Sequence, residues 1–142
     1  MDQLPPPVIP RNFYAAGLNY RAHIEWANSR GASHKVPTQP DIGYRAASAL
    51  IGSGHGIVIP ADSPGPVEYE GGRTVSSYNT RGMIFSVARY ISRMSRYVTL
   101  HPDDVIWFGC DGPTEPALKD GDLVEVVNDA IGVLANRVRK GA

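Results

Sequence analysis

The sequence predicts a mostly-β, α+β domain with two helices, on three observations. First, 15 glycines and 12 prolines cut the 142 residues into short pieces, which favours strands and loops over a helix bundle. Second, the apolar runs between those breaks, such as "GIVIP" and "DVIWFG", have the length of strands. Third, one long stretch, from Thr80 to Val98, carries apolar residues at helical spacing.

Taken in order, "PPPVIP" is an extended lead-in whose prolines offer no ladder donors. "NFYAAG" reads as a short strand ending at Gly17, and "NYRAHIEWANSRG" as a short helix stopped by Gly31. "ASHKVPTQPDIG" reads as a loop. "GSGHG" is a turn, because it lacks the G-x-G-x-x-G pattern and opens no helix. "GIVIP" is a strand ended by Pro60, and "VEYE" follows as another. Thr80 is the expected N-cap of the longer helix, over about Arg81 to Ser95. Ile84, Val87, Ala88, Ile91, Met94 and Val98 form its core stripe. Arg89, Arg93 and Arg96 fall away from the middle of that stripe and read as a solvated face rather than an anion site. "DVIWFG" is a strand. The tail turns at Asp120-Gly121 and folds as a hairpin across Asn128-Asp129.

Composition narrows the function classes. Fourteen basic and 14 acidic side chains give a formal net charge of zero, so nothing points to nucleic acid or an anionic membrane. The single cysteine, Cys110, excludes an intramolecular disulfide framework and a cysteine-rich zinc site. No apolar stretch approaches the ~18 residues of a membrane span, and the N-terminus has no signal-peptide pattern. A cytoplasmic location is the expectation.

Few residues could carry chemistry. His23 and Glu25 are two apart, a spacing that does not bring side chains together on a helix; at a strand end or in a turn they could converge. Alternation along "VEYEGG" places Glu68 and Glu70 on one face of a strand. Paired carboxylates there suit either a hard cation such as Mg²⁺ or a solvated strand edge. Cys110 follows a strand expected to be buried, where a thiol is usually inert.

Five stretches, in this order, resemble the fumarylacetoacetate hydrolase (FAH) superfamily. They are "GLNYRAH", "DIGYRAASALIGSGHGIVIP", "VEYEG", "MIFSVARYISRMSRYVTLHPDDVIWFG" and "LKDGDLVEVVNDAIGVL". The resemblance implies a β-roll that dimerises or forms a higher homo-oligomer. It implies Mg²⁺ or Mn²⁺, and a small 2-oxo or 1,3-dicarbonyl acid that is hydrolysed at a C–C bond, decarboxylated or isomerised. Carried onto this chain, it implies His23 and Glu25 as catalytic, Arg21, Arg45 and Cys110 as substrate-binding, and Glu70 with Glu68 as metal ligands.

The match has departures. Gly72 stands where the metal motif has its second glutamate, Trp26 where the catalytic motif has a glutamate, and Cys110 where a threonine is usual. "EGG" runs directly into "RTVSSYNT", so the FAH-like domain, residues 1–142, reads as internally shortened between Gly71 and Arg73. A strand rises ~3.3 Å per residue, so a metal using Glu68 in place of Gly72 would have to move along the strand. Three readings stay open: a metal-dependent enzyme, a catalytically degenerate binding or assembly subunit, and a chain from which an internal segment is missing.

Overall fold

A computed structural model describes residues 5, 6, 8–63, 80–110, 117–128, 130 and 132–142. Their contacts fall into two compact units. One is drawn from residues 8–50 and 80–110, the other from residues 51–63 and 117–142.

The first unit contains strands β1 (Phe13–Gly17) and β2 (Asp41–Arg45), with helix α1 (Arg21–Ser29) between them. Helix α2 (Val87–Met94) and strand β4 (Val105–Trp107) come later in the chain, after strand β3 (Gly56–Ile59) of the other unit. β1 is the middle strand of three. It pairs antiparallel with β2, Tyr14 opposite Tyr44, and parallel with β4, Tyr14 opposite Ile106. Alternation then divides the sheet. Tyr14, Ala16, Ile42, Tyr44 and Ile106 share one face. Phe13, Ala15, Gly43, Arg45, Val105 and Trp107 share the other.

Helix α2 covers the first face. Ala16, Phe85 and Tyr90 form the buried cluster, with Ile42, Ile84 and Phe108 packed on it. The rings of Phe85 and Phe108 meet Tyr90 edge-on, with centroids 6.2 and 5.4 Å away. The helix is shorter and rotated relative to the expected one. Ser86, not Thr80, caps it, with its Oγ accepting from the Arg89 N–H at 3.3 Å. Thr80–Gly82 is a separate 3₁₀ turn. Of the expected stripe only Met94 is fully buried, while Val87 and Ile91 are 43 % and 44 % exposed and Ala88 is exposed. The buried line runs through Tyr90 and Met94, because the phenol ring fills the space over Ala16 that an aliphatic stripe would leave open. Strand β2 was expected as loop; the ladder to β1 overrides its weak local pattern.

The second unit holds β3 (Gly56–Ile59), β5 (Leu123–Asn128) and β6 (Gly132–Lys140), in the order β3-β6-β5. β6 pairs parallel with β3 and antiparallel with β5, where Asn128 meets Gly132 across the expected hairpin. Ala135, Asn136 and Val138 are its buried residues. The Asn136 amide donates to the carbonyls of Gly52 at 2.7 Å and His55 at 3.0 Å. That pins the "GSGHG" turn, as expected of a structural loop.

The "VEYE" strand, the junction at Gly71–Arg73 and both glutamates, Glu68 and Glu70, lie outside the described residues.

Tyr90 is fully buried, and its hydroxyl has no hydrogen-bond partner among the described residues. Burial, aided by the Asp41 carboxylate, pushes its pKa up to about 12. A pKa raised on folding means the contribution is intact below the unfolded value near 10 and is lost as pH rises through 12. We expect Tyr90→Phe to keep or raise neutral-pH stability, by up to ~1 kcal/mol. It should also flatten the loss of stability between about pH 10 and 12. Urea unfolding across that range measures both effects.

Candidate functional site

Strand β1 delivers the chain to the "GLNYRAH" motif. A Cβ at Gly17 would stand 2.9 Å from the Asp41 carboxylate oxygen, so a larger residue there would displace that exposed side chain. Leu18 takes a left-handed φ of 41°, a conformation costing roughly 1–2 kcal/mol for an L-residue. What holds it is the next residue. Asn19 is 2 % exposed. Its Oδ1 accepts from the Phe85 N–H at 3.0 Å and its Nδ2 donates to the Phe85 carbonyl at 3.3 Å. Its own carbonyl accepts from the Ile84 N–H at 2.7 Å. Tyr20 then bridges to Met83, and α1 starts at Arg21.

His23 sits half-buried in the first turns of α1. Its ring meets Trp26 edge-on at 5.9 Å, and the Arg30 guanidinium lies over the same indole at 4.4 Å. Trp26 therefore occupies the helix position one turn on from His23 and packs on its ring. Glu25 and Arg21 are exposed. Because His23 and Glu25 fall on a helix, they point in different directions, and the convergent alternative does not hold. Arg45 is at the end of β2, stacked over Trp107 of β4 at 5.4 Å. Cys110 is 3 % exposed and makes no disulfide. No hydrogen bond or ion pair links His23, Glu25, Arg21 and Arg45 to one another among the described residues.

At the other end of β4, Asp104 ties the sheet. Its carboxylate accepts from the His101 N–H at 2.9 Å and from the Asn12 N–H and side-chain amide at 3.0 and 2.9 Å. The His101 amide first, then Asn12, holds its pKa below the usual carboxylate range. Sequence reasoning passed over both Asn19 and Asp104. The available signal was a short polar residue set among apolar ones at a strand end.

Among the described residues, no three of His, Cys, Asp and Glu come together to hold a metal ion. The residues that would hold Mg²⁺ or Mn²⁺ by resemblance, Glu68 and Glu70, are outside them. Also among the described residues, no helix is long and apolar enough to cross a membrane.

The model of the fumarylacetoacetate (FAA) hydrolase C-terminal region matches residues 67–139, a little over half of the chain. The chain belongs to that family. It is 25% identical over 210 residues to an uncharacterised protein of Archaeoglobus fulgidus, covering 95% of this chain and 81% of the relative. An alignment of 210 positions exceeds the 142 residues present by 68, so at least that many positions of the relative face no residue here. The chain is 35% identical over 74 residues to the 2,4-didehydro-3-deoxy-L-rhamnonate hydrolase of a Sphingomonas species. That match covers 47% of this chain and 26% of the enzyme, so the matched part is about a quarter of its length. In three dimensions it matches the crystal structure of 5-carboxymethyl-2-hydroxymuconate delta-isomerase from Mycobacterium smegmatis. The TM-score is 0.71 at 20% identity, over 99% of this chain and 83% of the other. That likeness shows the mostly-β, FAH-like α+β fold.

The Asn19 clamp yields a direct expectation. Asn19→Ala should cost about 1–3 kcal/mol, because it strands the Phe85 N–H and carbonyl in a buried site. Equilibrium denaturation measures it, and a cost within error of zero would show that the two backbone groups find other partners.

Proposed function

We propose that the chain acts as a hydrolase or isomerase of a small 2-oxo or 1,3-dicarbonyl acid. The family match over residues 67–139 carries this reading. The half-buried His23 behind the Asn19 clamp supports it. In this role the His23 imidazole accepts a proton from the carbon next to the substrate carbonyl, or holds the attacking water. Arg21 and Arg45 have the planar guanidinium that grips a carboxylate through two parallel hydrogen bonds. A divalent ion, when bound, supplies Lewis-acid stabilisation of an enolate. The described residues do not form its site, so no step is assigned to it.

One observation favours the second reading, a degenerate binding subunit. Trp26 packs on His23 where an orienting carboxylate would stand, and Glu25 turns to solvent. The positions that the Archaeoglobus fulgidus relative has and this chain lacks fit either this reading or a chain from which a segment is missing, and the sequence motifs alone are the ground for proposing the shortening between Gly71 and Arg73.

We also propose a homodimer or higher oligomer. Val87 and Ile91 in the first unit and Val126, Val127 and Val133 in the second are large apolar side chains exposed in the single chain, which favours association.

Two measurements test these proposals. The first is turnover of an oxaloacetate-like acid with Mg²⁺ or Mn²⁺, on protein whose intact mass has been verified. Under the enzyme reading, His23→Ala lowers kcat by about 10²–10⁴-fold, and Glu70→Ala abolishes turnover. Binding of the acid by calorimetry without turnover favours the subunit reading. The second is light scattering at micromolar concentration, where a monomer mass would overturn the oligomer.

A further inference from the structure

The charges of this chain balance overall but are not evenly distributed. From Gly71 to Pro102 there are five arginines, no lysine, and no Asp or Glu. Three of the five, Arg89, Arg93 and Arg96, follow one another along α2 and the turn after it. An exposed helical face normally spaces acids among its bases, since like charges at i, i+4 repel by a few tenths of a kcal/mol. Here that compensation is missing from the sequence. It is missing from the structure as well: none of the three guanidiniums is ion-paired among the described residues. Arg89 lies over the Phe85 ring at 5.3 Å and Arg93 over Tyr97 at 4.9 Å. Such stacking orients a guanidinium while leaving its N–H edge free to bind.

The three arginines line one pocket of about 420 Å³. Its other lining residues are Ser92 and the loop Thr38, Gln39 and Pro40. Every charged group in this lining is positive, and the hydroxyls and the amide add neutral donors. A second pocket, of about 220 Å³, shares Pro40 and Arg93 with the first. It is lined mainly by Tyr14, Ile42, Tyr44, Met94, Tyr97 and Val98, and so is largely apolar. Arg93 is half-buried at this common wall. Alternation along β2 puts Ile42 and Tyr44 on the face opposite Arg45. The pair of pockets is therefore not the site to which the family resemblance assigns Arg45.

We infer that these adjoining pockets bind a small organic anion. Its carboxylate or phosphate group lies among Arg89, Arg93 and Arg96, and its aromatic or aliphatic body enters the pocket of Tyr14, Ile42 and Met94. The binding requires no metal and no residue of the candidate catalytic set, so it stands or falls separately from the proposed turnover.

The test is calorimetric titration of the full chain, in its native assembly, with phenyl phosphate, phenylacetate and inorganic phosphate. We expect at least one aromatic anion to bind about tenfold or more tighter than inorganic phosphate, as burial of a phenyl ring requires. The tighter of the two identifies the headgroup as phosphate or carboxylate. Added salt should weaken binding. Arg93→Gln and the double variant Arg89→Gln/Arg96→Gln should each weaken all bound anions by about tenfold or more. Tyr97→Ala, at a 69 % exposed residue that lines the apolar pocket and stacks on Arg93, should weaken the aromatic anions more than it weakens inorganic phosphate. Circular dichroism confirms that the variants are folded. The inference is overturned if neither aromatic anion binds at millimolar concentration, or if the double variant binds them as tightly as the parent. It is equally overturned if the charge variants change the oligomeric mass while the parent binds no anion, which would make this face an interface between copies.

Discussion

The paired amide of Asn19 is the constraint on which the first unit depends. Its two side-chain hydrogen bonds and one backbone bond join residue 19 to residues 84 and 85, across 66 positions of chain. A loop of that length has a high closure entropy, so the contact that closes it must be both well buried and fully satisfied. Asn is suited to the task because one planar amide presents a donor and an acceptor to the carbonyl and N–H of a single residue, Phe85. The left-handed Leu18 is the local strain that accompanies this placement. From there the rest follows in both directions. The strand before Asn19 is held in register for β2 and β4, and the helix after it is launched with His23 in its first turns. On the other side of the clamp, Phe85 is fixed one residue before the Ser86 cap, which sets where α2 begins.

A similar device serves the second unit. Asn136, 4 % exposed on the central strand β6, fixes the turn before β3 through two carbonyls. Asp104 does the equivalent work with a charge at the start of β4, gathering three N–H donors from two segments. The strands are only three to nine residues long, and a short strand pins its own register weakly. Side chains that count backbone donors and acceptors supply the missing specification. The same geometry makes these residues costly to alter, because the loss of one side chain leaves two backbone groups without that partner.

The two faces of the β1-β2-β4 sheet carry different side chains. The face toward α2 carries Tyr14, Ala16 and Ile42, and it packs a core around Tyr90. The opposite face carries Arg45 and Trp107. The arginine-lined pocket belongs to the core side, at the flank of α2. A guanidinium can stand beside a core without being buried, since its stem packs and its head remains in water. This explains how Arg93 is half-buried while Arg89 and Arg96 are exposed on the same helix flank.

The sequence by itself determined the short-strand, two-helix character of the chain. It located β1, α1, β3, β4 and the Asn128 hairpin, because alternation, glycine stops and turn residues act within a few positions. Family membership was legible too, since the motifs keep their order even though Gly72 and Trp26 break two of them. Tertiary structure alone decided that residues 41–45 are a strand, for their partner is β1 and not their neighbours. It alone turned α2 to bury Tyr90 rather than Val87 and Ile91: periodicity identifies a helical stripe, but the shape of the facing sheet selects which side is covered. The roles of Asn19 and Asp104 were hidden for the same reason. A polar side chain shows its purpose only when the distant backbone groups it satisfies have been brought to it by the fold.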